Sequence, residues 1–315
     1  MPYVYNIEPK DYSKKAISIW EASGYSYFEG SWEHYHSFHA CSEVEILIVR
    51  LGGMVTSDVL QVFPNLKFVI SATTGHNHLD KVAIAKRDIK LISLRGQEDF
   101  LKTIPSTAEL TWALLLNLLR NIPSSITHVK EGDWDRELFK GYQLYGKKIG
   151  LVGLGRIGSI VARYAEAFGM QVEYVDPKVD NSQYTKKATL EELIVDVDIL
   201  SIHVHSDPSN YNLINAELIS KLKDGAYVLN TSRGEVWDEQ AVVNNVISGK
   251  LKGVGTDVVI NETNDREQSP IWKARNHPNV LLTPHIGGAS YDAMWQCEEF
   301  AQELLLQGTI SQEEI

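Results

Sequence analysis

The stretch GLVGLGRIGSIVARYAEAFGMQVEYVDP (residues 150–177) constrains the fold more than any other part of the sequence. It places Gly153, Gly155 and Gly158 between an apolar run typical of a strand and a helical segment that Gly169 ends. In this spacing the first glycine permits a tight turn, the second lets the backbone approach a pyrophosphate, and the third lets the helix pack on the strand. The motif alone is weak because glycine is common in turns, but its strand-to-helix context predicts a dinucleotide-binding βαβ unit.

Asp176 stands at the end of the next predicted strand, where a carboxylate can accept hydrogen bonds from the adenosine ribose. A 2′-phosphate at that point would meet a like charge, so the sequence favours NAD over NADP as the cofactor. The neighbouring Lys178 weakens that preference. The side chain of Arg156 either assists the pyrophosphate or is a solvated surface charge.

Short apolar runs alternate with helical stretches from about residue 45 onward, a pattern typical of strands buried on both faces of a parallel sheet. The predicted strands are 45–50, 66–71, 89–93, 147–153, 171–176, 198–204, 226–232, 253–259 and 279–285. A chain of 315 residues is long enough for two domains with separate cores. We therefore predict an α/β protein with two doubly wound parallel sheets.

The segment PSTAELTWALLLNLLRNIP (105–123) predicts a buried helix at the domain boundary. Ser106 and Glu109 have capping-box spacing, and the turns that follow are apolar nearly all round. The later stretch 131–148 is polar and punctuated by glycine, so we expect it to form a surface connection into the second sheet.

Composition narrows the class of protein and of partner. Hydrophobic residues make up 43% and charged residues 23%, as in globular chains, and no apolar run reaches the ~20 residues of a membrane span. The first residues lack the order of a signal peptide, so we expect a cytoplasmic protein. The net charge of −11 argues against nucleic acid or an anionic membrane as partner. Cys41 and Cys297 are expected to be free thiols.

The aromatic segment 24–41 carries His34, His36, His39 and Cys41 at a spacing that raises the question of a metal site. No second ligand cluster supports one, and the imidazoles alternate with aromatic residues as on an ordinary loop or helix face. We predict no metal.

Three predicted strands of the second sheet end in polar residues that apolar packing does not explain. These residues are Arg233, then Asp257 with Glu262, and finally His285. The carboxyl ends of strands line the ligand crevice in open α/β sheets, so the four side chains have a route to one site. Each alone has a bland explanation as a surface cation, a loop acid or a hydrogen-bonded turn residue. Their joint occurrence beside a dinucleotide motif favours an active site.

Taken together, these motifs resemble the D-isomer-specific 2-hydroxyacid dehydrogenase family. The likeness extends over SATTGHNHLD (71–80), the glycine motif, NTSRGEVWDE (230–239), DVVINE (257–262) and HIGGAS (285–290). It implies a Rossmann NAD domain, residues 105–286, inserted into a flavodoxin-like substrate domain made of residues 1–104 and 287–315. It also implies a homodimer.

The resemblance assigns a role to each strand-end residue. Arg233 would hold the substrate carboxylate and polarise its carbonyl, a task that suits the planar, two-pronged guanidinium. His285 would donate the proton in reduction and accept it in oxidation, with Glu262 bonded to its other ring nitrogen. The backbone at Thr74 and Gly75 resembles the family's cradle for the substrate carboxylate.

The resemblance also implies a set of cofactor contacts, among which Asp257 matches the aspartate that bonds the nicotinamide carboxamide. The full set is Gly153, Gly155, Arg156, Ile157, Gly158, Asp176, Val204, Thr231, Ser232, Asp257 and Gly288. One departure is HVHSDP (203–208), where His205 stands in a position that is usually proline in the family. This departure puts the local cofactor contact in question.

The expected function is an NAD-dependent oxidoreductase that interconverts a small 2-oxo acid and a D-2-hydroxy acid. The main alternative is an NAD-sensing oligomeric binding protein of the corepressor kind, which retains the same three polar residues; turnover against NAD-dependent oligomerisation separates the two. A minor third reading is oxidation of formate or phosphite. The substrate stays open because 24–41 and 93–110, where selective side chains are expected, depart most from the family.

Overall fold

The computed structural model describes residues 1–205, 208–262 and 265–308. Part of the HVHSDP departure, 206–207, and the end of the expected C-terminal segment, 309–315, lie outside the described residues. Two compact units form: Met1–Ile104 with Ala289–Ile315, and Pro105–Gly288. The glycines of HIGG therefore fall in the second unit.

All strand pairings are parallel, and they form two sheets. Twelve strands lie within the described ranges: β1 (Tyr3–Asn6), β2 (Ser26–Glu29), β3 (Val44–Val49), β4 (Phe68–Ser71), β5 (Lys90–Ser93), β6 (Lys148–Val152), β7 (Gln171–Val175), β8 (Thr185–Lys186), β9 (Ile199–Ile202), β10 (Ala226–Asn230), β11 (Leu251–Thr256) and β12 (Val280–Leu282). The first unit has the order β2-β1-β3-β4-β5, and the second has β12-β11-β10-β9-β6-β7-β8. The doubly wound α/β prediction is thus confirmed.

Helices connect the parallel strands, because a parallel pair needs a crossover between its strands. In the described part of the chain they are α1 (Lys14–Ala22), α2 (Ser57–Val62), α3 (Lys81–Lys86), α4 (Glu98–Leu101), α5 (Ser106–Leu119), α6 (Ile122–Lys130), α7 (Arg156–Ala167), α8 (Leu190–Ile194), α9 (Ala216–Lys221), α10 (Glu239–Ile247), α11 (Pro270–Lys273) and α12 (Tyr291–Leu306). None of these helices is both long and apolar enough to cross a bilayer.

Each sheet is covered on both faces, which explains the continuous apolar character of its strands. In the first unit, α1 and α12 pack on the face that carries Val4 and Ile46, while α2 and α3 cover the face that carries Leu47. In the second unit, α5 and α7 cover the face of Leu151, and α8 to α11 cover the face of Val152. The C-terminal helix α12 therefore belongs to the core of the first unit.

The capping box predicted for the 105–123 helix is wrong. Pro105 occupies the N-cap position, and the Ser106 hydroxyl is buried without a hydrogen-bond partner among the described residues. The helix also ends at Leu119, because Asn121 adopts the left-handed conformation and α6 starts anew after it. A left-handed residue interrupts the helical hydrogen-bond pattern, and this outweighs the apolar sequence around it.

Candidate active site

His285 is held in a turn directly after β12. Its backbone has φ +54°, a left-handed conformation that costs a non-glycine residue about 1–3 kcal/mol. Its N–H donates to the carbonyl oxygens of Asp257 and Thr283, each at 3.0 Å. Its Nδ1 lies 2.6 Å from Oε1 of Glu262, and both side chains keep more than a quarter of their surface exposed. Since a carboxylate only accepts, Nδ1 carries the hydrogen and Nε2 is left for other chemistry.

The side chain of Asp257 holds the turn around His285 in place. Its side chain accepts hydrogen bonds from the Thr283 hydroxyl at 2.6 Å, the Ile286 N–H at 2.8 Å and the Gly287 N–H at 2.7 Å. The residue is 2% exposed, and its burial raises the pKa of the Asp257 carboxyl while these hydrogen bonds oppose the rise. The described contacts of Asp257 therefore hold the backbone on both sides of His285.

A second buried carboxylate, Glu239, supports the segment that carries Glu262. Glu239 is 4% exposed, accepts from the Ile260 N–H at 2.7 Å and from the Ser269 hydroxyl, and burial raises the pKa of its carboxyl. The next residue along, Asn261, has φ +56°. The sharp turn at 260–262 is thus fixed from α10, and it directs Glu262 toward the imidazole.

Arg233 lies in the turn that follows β10, and the fully buried Asn230 shapes that turn. The Asn230 side chain accepts from the N–H and the hydroxyl of Ser232 at 3.0 and 2.8 Å, and donates to the Arg233 carbonyl at 2.9 Å. A side chain at Gly234 would come within 2.2 Å of the Val259 backbone, so only glycine permits this close approach. One guanidinium nitrogen of Arg233 donates to the Ser232 carbonyl at 2.6 Å, which leaves further donors of the five for a ligand.

The glycine turn after β6 has the shape that a pyrophosphate requires. Gly153 has φ +93°, and a Cβ there would lie 2.6 Å from the His203 carbonyl oxygen. At Gly158 a Cβ would lie 2.2 Å from the Gly153 oxygen, whereas at Gly155 it would meet nothing within 4 Å. The turn is therefore packed on its inner side and open at Gly155, where the N-terminus of α7 begins. These features fit NAD.

Asp176 follows β7 and joins the glycine turn after β6 to the turn after β7. Oδ2 accepts from the Leu154 N–H at 2.8 Å, and Oδ1 accepts from the N–H groups of Lys178 and Val179 at 2.8 and 3.0 Å. A carboxylate has about four acceptor positions, so the group retains capacity for a ribose hydroxyl. Lys178 contacts Asp176 through its backbone.

The other predicted cofactor residues occupy varied positions around this edge. Arg156 begins α7, half-buried Ile157 follows it, and exposed Gly288 ends the second unit. The Val204 side chain packs beside Gly153, and the carbonyl of His205 accepts from Asn210 at 2.8 Å.

Thr231 and Ser232 direct their hydroxyls into the protein. Thr231 Oγ1 lies 2.7 Å from Thr111 Oγ1 on α5, and Ser232 bonds Asn230. A ligand would therefore contact the backbone of these two residues, or a hydroxyl that also keeps its hydrogen bond within the protein.

In the first unit, a chain of side-chain hydrogen bonds supports the loop that contains Thr74 and Gly75. His78, 2% exposed, places Nε2 3.0 Å from the Ser71 hydroxyl, which lies 2.9 Å from the Thr73 hydroxyl. Thr73 in turn donates to the Gly75 carbonyl at 2.9 Å. These side-chain hydrogen bonds thus fix the conformation of the loop.

The structure brings together His285, Glu262 and Asp257, with the Arg233 turn packed on the backbone that leads to Glu262. Sequence reasoning missed the supporting residues Asn230 and Glu239. Their only signal was a polar side chain in or next to a strand or a helix start, and such a signal does not identify a partner. No group of three or more His, Cys, Asp or Glu in the described ranges is arranged to hold a metal.

Comparison with known proteins assigns the family. Residues 112–287 match the model of the D-isomer specific 2-hydroxyacid dehydrogenase NAD-binding domain, and residues 32–113 match the catalytic domain of the same family. The chain belongs to the D-isomer-specific 2-hydroxyacid dehydrogenases, a family of NAD-dependent enzymes that act on CH–OH groups. The cofactor is NAD.

Individual relatives agree with this assignment. The chain is 36% identical over 252 residues to a hydroxypyruvate reductase of Thermotoga maritima, and the aligned residues cover 80% of each chain. It is 33% identical over 276 residues to D-3-phosphoglycerate dehydrogenase of Bacillus subtilis, covering 86% of this chain but 50% of that one. The crystal structure of the TT0316 protein of Thermus thermophilus matches with a TM-score of 0.82 at 30% identity, covering 97% of this chain and 96% of the other.

Proposed function

We propose that this protein catalyses NAD-dependent interconversion of a small 2-oxo acid and the corresponding D-2-hydroxy acid. The observation that carries the proposal is the 2.6 Å contact between His285 Nδ1 and Glu262 Oε1. This pair follows β11 and β12 at the edge of the sheet where the glycine turn follows β6, so an acid–base group and a dinucleotide-binding turn share one edge.

His285 is the proposed proton carrier. The bound cofactor would supply a hydride to C2 as NADH in reduction, and accept a hydride from C2 as NAD⁺ in oxidation. In reduction, the Nε2–H of His285 gives its proton to the carbonyl oxygen as C2 becomes a CH–OH carbon; in oxidation Nε2 takes that proton back. Glu262 holds the ring orientation and stabilises the imidazolium through Nδ1–H.

Arg233 is the proposed substrate anchor. Its remaining N–H donors suit a carboxylate, and a guanidinium cannot lose its charge at working pH. In a protein of net charge −11, this local cation is needed to attract an anionic substrate. The Asn230 side chain donates to the Arg233 carbonyl, so the backbone that carries the guanidinium is held in one conformation.

We propose that residues 105–286 form the NAD domain and that residues 1–104 and 287–315 form the substrate domain. In the latter, the loop at Thr74 and Gly75 offers backbone groups to the substrate carboxylate, and the Ser71–Thr73–His78 hydrogen bonds support it. Homodimer formation and a cytoplasmic location stay predictions from the sequence.

Steady-state turnover tests the proposal. Purified protein with NADH is offered glyoxylate, hydroxypyruvate, pyruvate and bulkier 2-oxo acids, beside His285→Ala and Arg233→Lys variants. We expect turnover with at least one acid, a loss of about 10²–10⁴-fold in His285→Ala, and a large loss in Arg233→Lys because a point charge cannot replace a two-pronged contact. NADH binding by both variants serves as the control for folding.

The opposite result is equally well defined. No turnover with any acid, together with NAD-dependent oligomerisation that His285→Ala leaves unchanged, would contradict the enzymatic proposal and favour a binding protein. Equal turnover by wild type and His285→Ala would contradict the acid–base role alone.

A further inference from the structure

A cavity lies at the opposite edge of the seven-stranded sheet, at the amino ends of β9, β10 and β11. Its volume is about 230 Å³, below the ~300–1,000 Å³ of pockets for drug-sized ligands. The lining residues are Tyr142, Lys147, Asp198, Lys223, Asp224, Gly225, Ala226, Tyr227 and Lys252. Strands β10 and β11 separate it from Arg233 and Asp257 by on the order of 15 Å, given about 3.3 Å per strand residue. The cavity is thus distinct from the catalytic edge.

Two ammonium groups at this cavity lack a carboxylate partner within the described ranges. The Lys252 ammonium lies 4.4 Å from the centre of the Tyr142 ring and donates to its hydroxyl at 2.7 Å. Lys147 places its ammonium 5.5 Å from the centre of the same ring. Lysines are usually paired or fully solvated, so two that converge on one phenol beside a cavity form a local positive centre in an acidic protein.

The two aspartates of the lining do not cancel this charge, because each already has a cationic partner. Asp198 accepts from the Lys148 N–H at 2.9 Å and lies 3.4 Å from the Lys223 ammonium. Asp224 pairs with Lys250 at 2.9 Å. The charge that is left over comes from Lys147 and Lys252.

Tyr227 supplies a second, independent observation. The residue is 6% exposed and lines the cavity, yet its hydroxyl has no hydrogen-bond partner among the residues that the structure describes. A phenol hydroxyl that is not used within the protein can donate a hydrogen bond to a ligand in the cavity that its residue lines. Burial, with Tyr142 nearby, raises the pKa of Tyr227 to about 12, so the group keeps its proton and can donate.

We infer that this cavity binds a small phosphate-bearing anion through Lys147, Lys252, Tyr142 and Tyr227. Two ammonium groups and two phenol hydroxyls offer more donors than the two oxygens of one carboxylate need, and they suit the three terminal oxygens of a phosphate group. The cavity volume limits the ligand to a small molecule or a protruding phosphate. This site is independent of the proposed oxidoreduction and would exist whether or not that proposal holds.

Calorimetric titration of the full chain with inorganic phosphate tests the inference. The protein is saturated with NADH so that the pyrophosphate position is filled, and chloride keeps the ionic strength constant because exposed charges are screened. We expect saturable binding by the wild type. A Lys147→Met/Lys252→Met double variant should bind at least roughly tenfold more weakly, and Tyr227→Phe roughly threefold more weakly, since each loses charged or neutral donors.

Lys86→Met, at an exposed lysine of the first unit, is the matched control and should bind phosphate as the wild type does. Tyr227→Phe removes one oxygen and keeps the ring, so this variant disturbs the fold less than the double variant does. The inference is overturned if the wild type shows no saturable binding, or if the double variant and Tyr227→Phe both bind phosphate as tightly as Lys86→Met does.

Discussion

The two units hold their histidines in opposite chemical settings. In the second unit, His285 faces the Glu262 carboxylate at 2.6 Å. In the first unit, His78 faces the Ser71 hydroxyl, and burial together with Arg95 and Lys81 lowers the pKa of His76 to about 4. The carboxylate beside His285 can balance a positive charge on the imidazole, whereas the cations near His76 disfavour one.

This difference separates two kinds of task. In the second unit, two buried carboxylates, Asp257 and Glu239, hold the backbone that carries the proposed acid–base residue His285 and its partner Glu262. The first unit fixes its 71–78 loop with hydrogen bonds among Ser71, Thr73, His78 and the Gly75 carbonyl. The proposed proton transfer and the proposed backbone recognition of substrate thus depend on different structural supports.

The largest effect is expected from removal of the carboxylate that distinguishes the His285 setting. Glu262→Gln keeps the shape but cannot balance the imidazolium, so kcat should fall about 100-fold while the Kd for NADH stays the same. Stopped-flow kinetics measure kcat, and fluorescence titration measures the Kd for NADH. Glu267→Gln, an exposed acid on the same connection, is the control; if it lowers kcat as much as Glu262→Gln does, the pair has no special role.

Asp257→Asn should have the next largest effect, because the amide replaces an acceptor by a donor where three groups donate. We expect the free energy of unfolding to fall by about 2–4 kcal/mol and kcat about tenfold, as the turn at His285 loosens. Urea unfolding beside Asp180→Asn, at an exposed aspartate, provides the comparison. Equal stability of the two variants would show that the buried hydrogen bonds do not hold the turn.

His78→Leu tests the hydrogen-bonded support of the 71–78 loop in the first unit. Without the bond to Ser71 the loop at Thr74 and Gly75 should bind substrate less well, so KM should rise about fivefold with kcat within twofold of wild type. His78→Gln retains a donor and should recover most of the KM. A fall in kcat with unchanged KM would instead place His78 in the chemistry.

The smallest effect concerns pH and stability. An unfolded chain protonates His76 near the ordinary value of 6.5, but the folded chain does so only near 4, so acidification between these values favours unfolding. On going from pH 7 to pH 5, the wild type should lose about 2–4 °C more in Tm than His76→Gln does. His34→Gln, at an exposed histidine, should behave as the wild type. Identical losses in all three proteins would mean that His76 titrates normally.

The sequence alone predicted the longer buried strands and the order in which Arg233, Glu262 and His285 follow successive strands. All nine predicted strands occur, with shifted ends, because continuous apolar runs have few other places in an α/β fold. It missed β1, β2 and β8, which are short; β2 and β8 also lie at sheet edges, where a neighbouring strand decides the conformation.

The sequence did not predict the residues that hold the site in place, for a similar reason. Asn230 acts on residues near it in sequence, but its effect depends on the turn geometry, and Glu239 reaches Ile260 and Ser269 only after α10 packs. The left-handed backbone at His285 likewise results from bonds to Asp257. Such arrangements follow from tertiary contacts, which a linear pattern does not specify.

A crystal structure with NAD and an unreactive 2-oxo acid analogue tests the central claim most directly. The account predicts that His285 Nε2 lies within hydrogen-bond distance of the analogue's C2 oxygen while Nδ1 keeps its bond to Glu262. An imidazole turned away from the nicotinamide, with Glu262 bonded elsewhere, would contradict it.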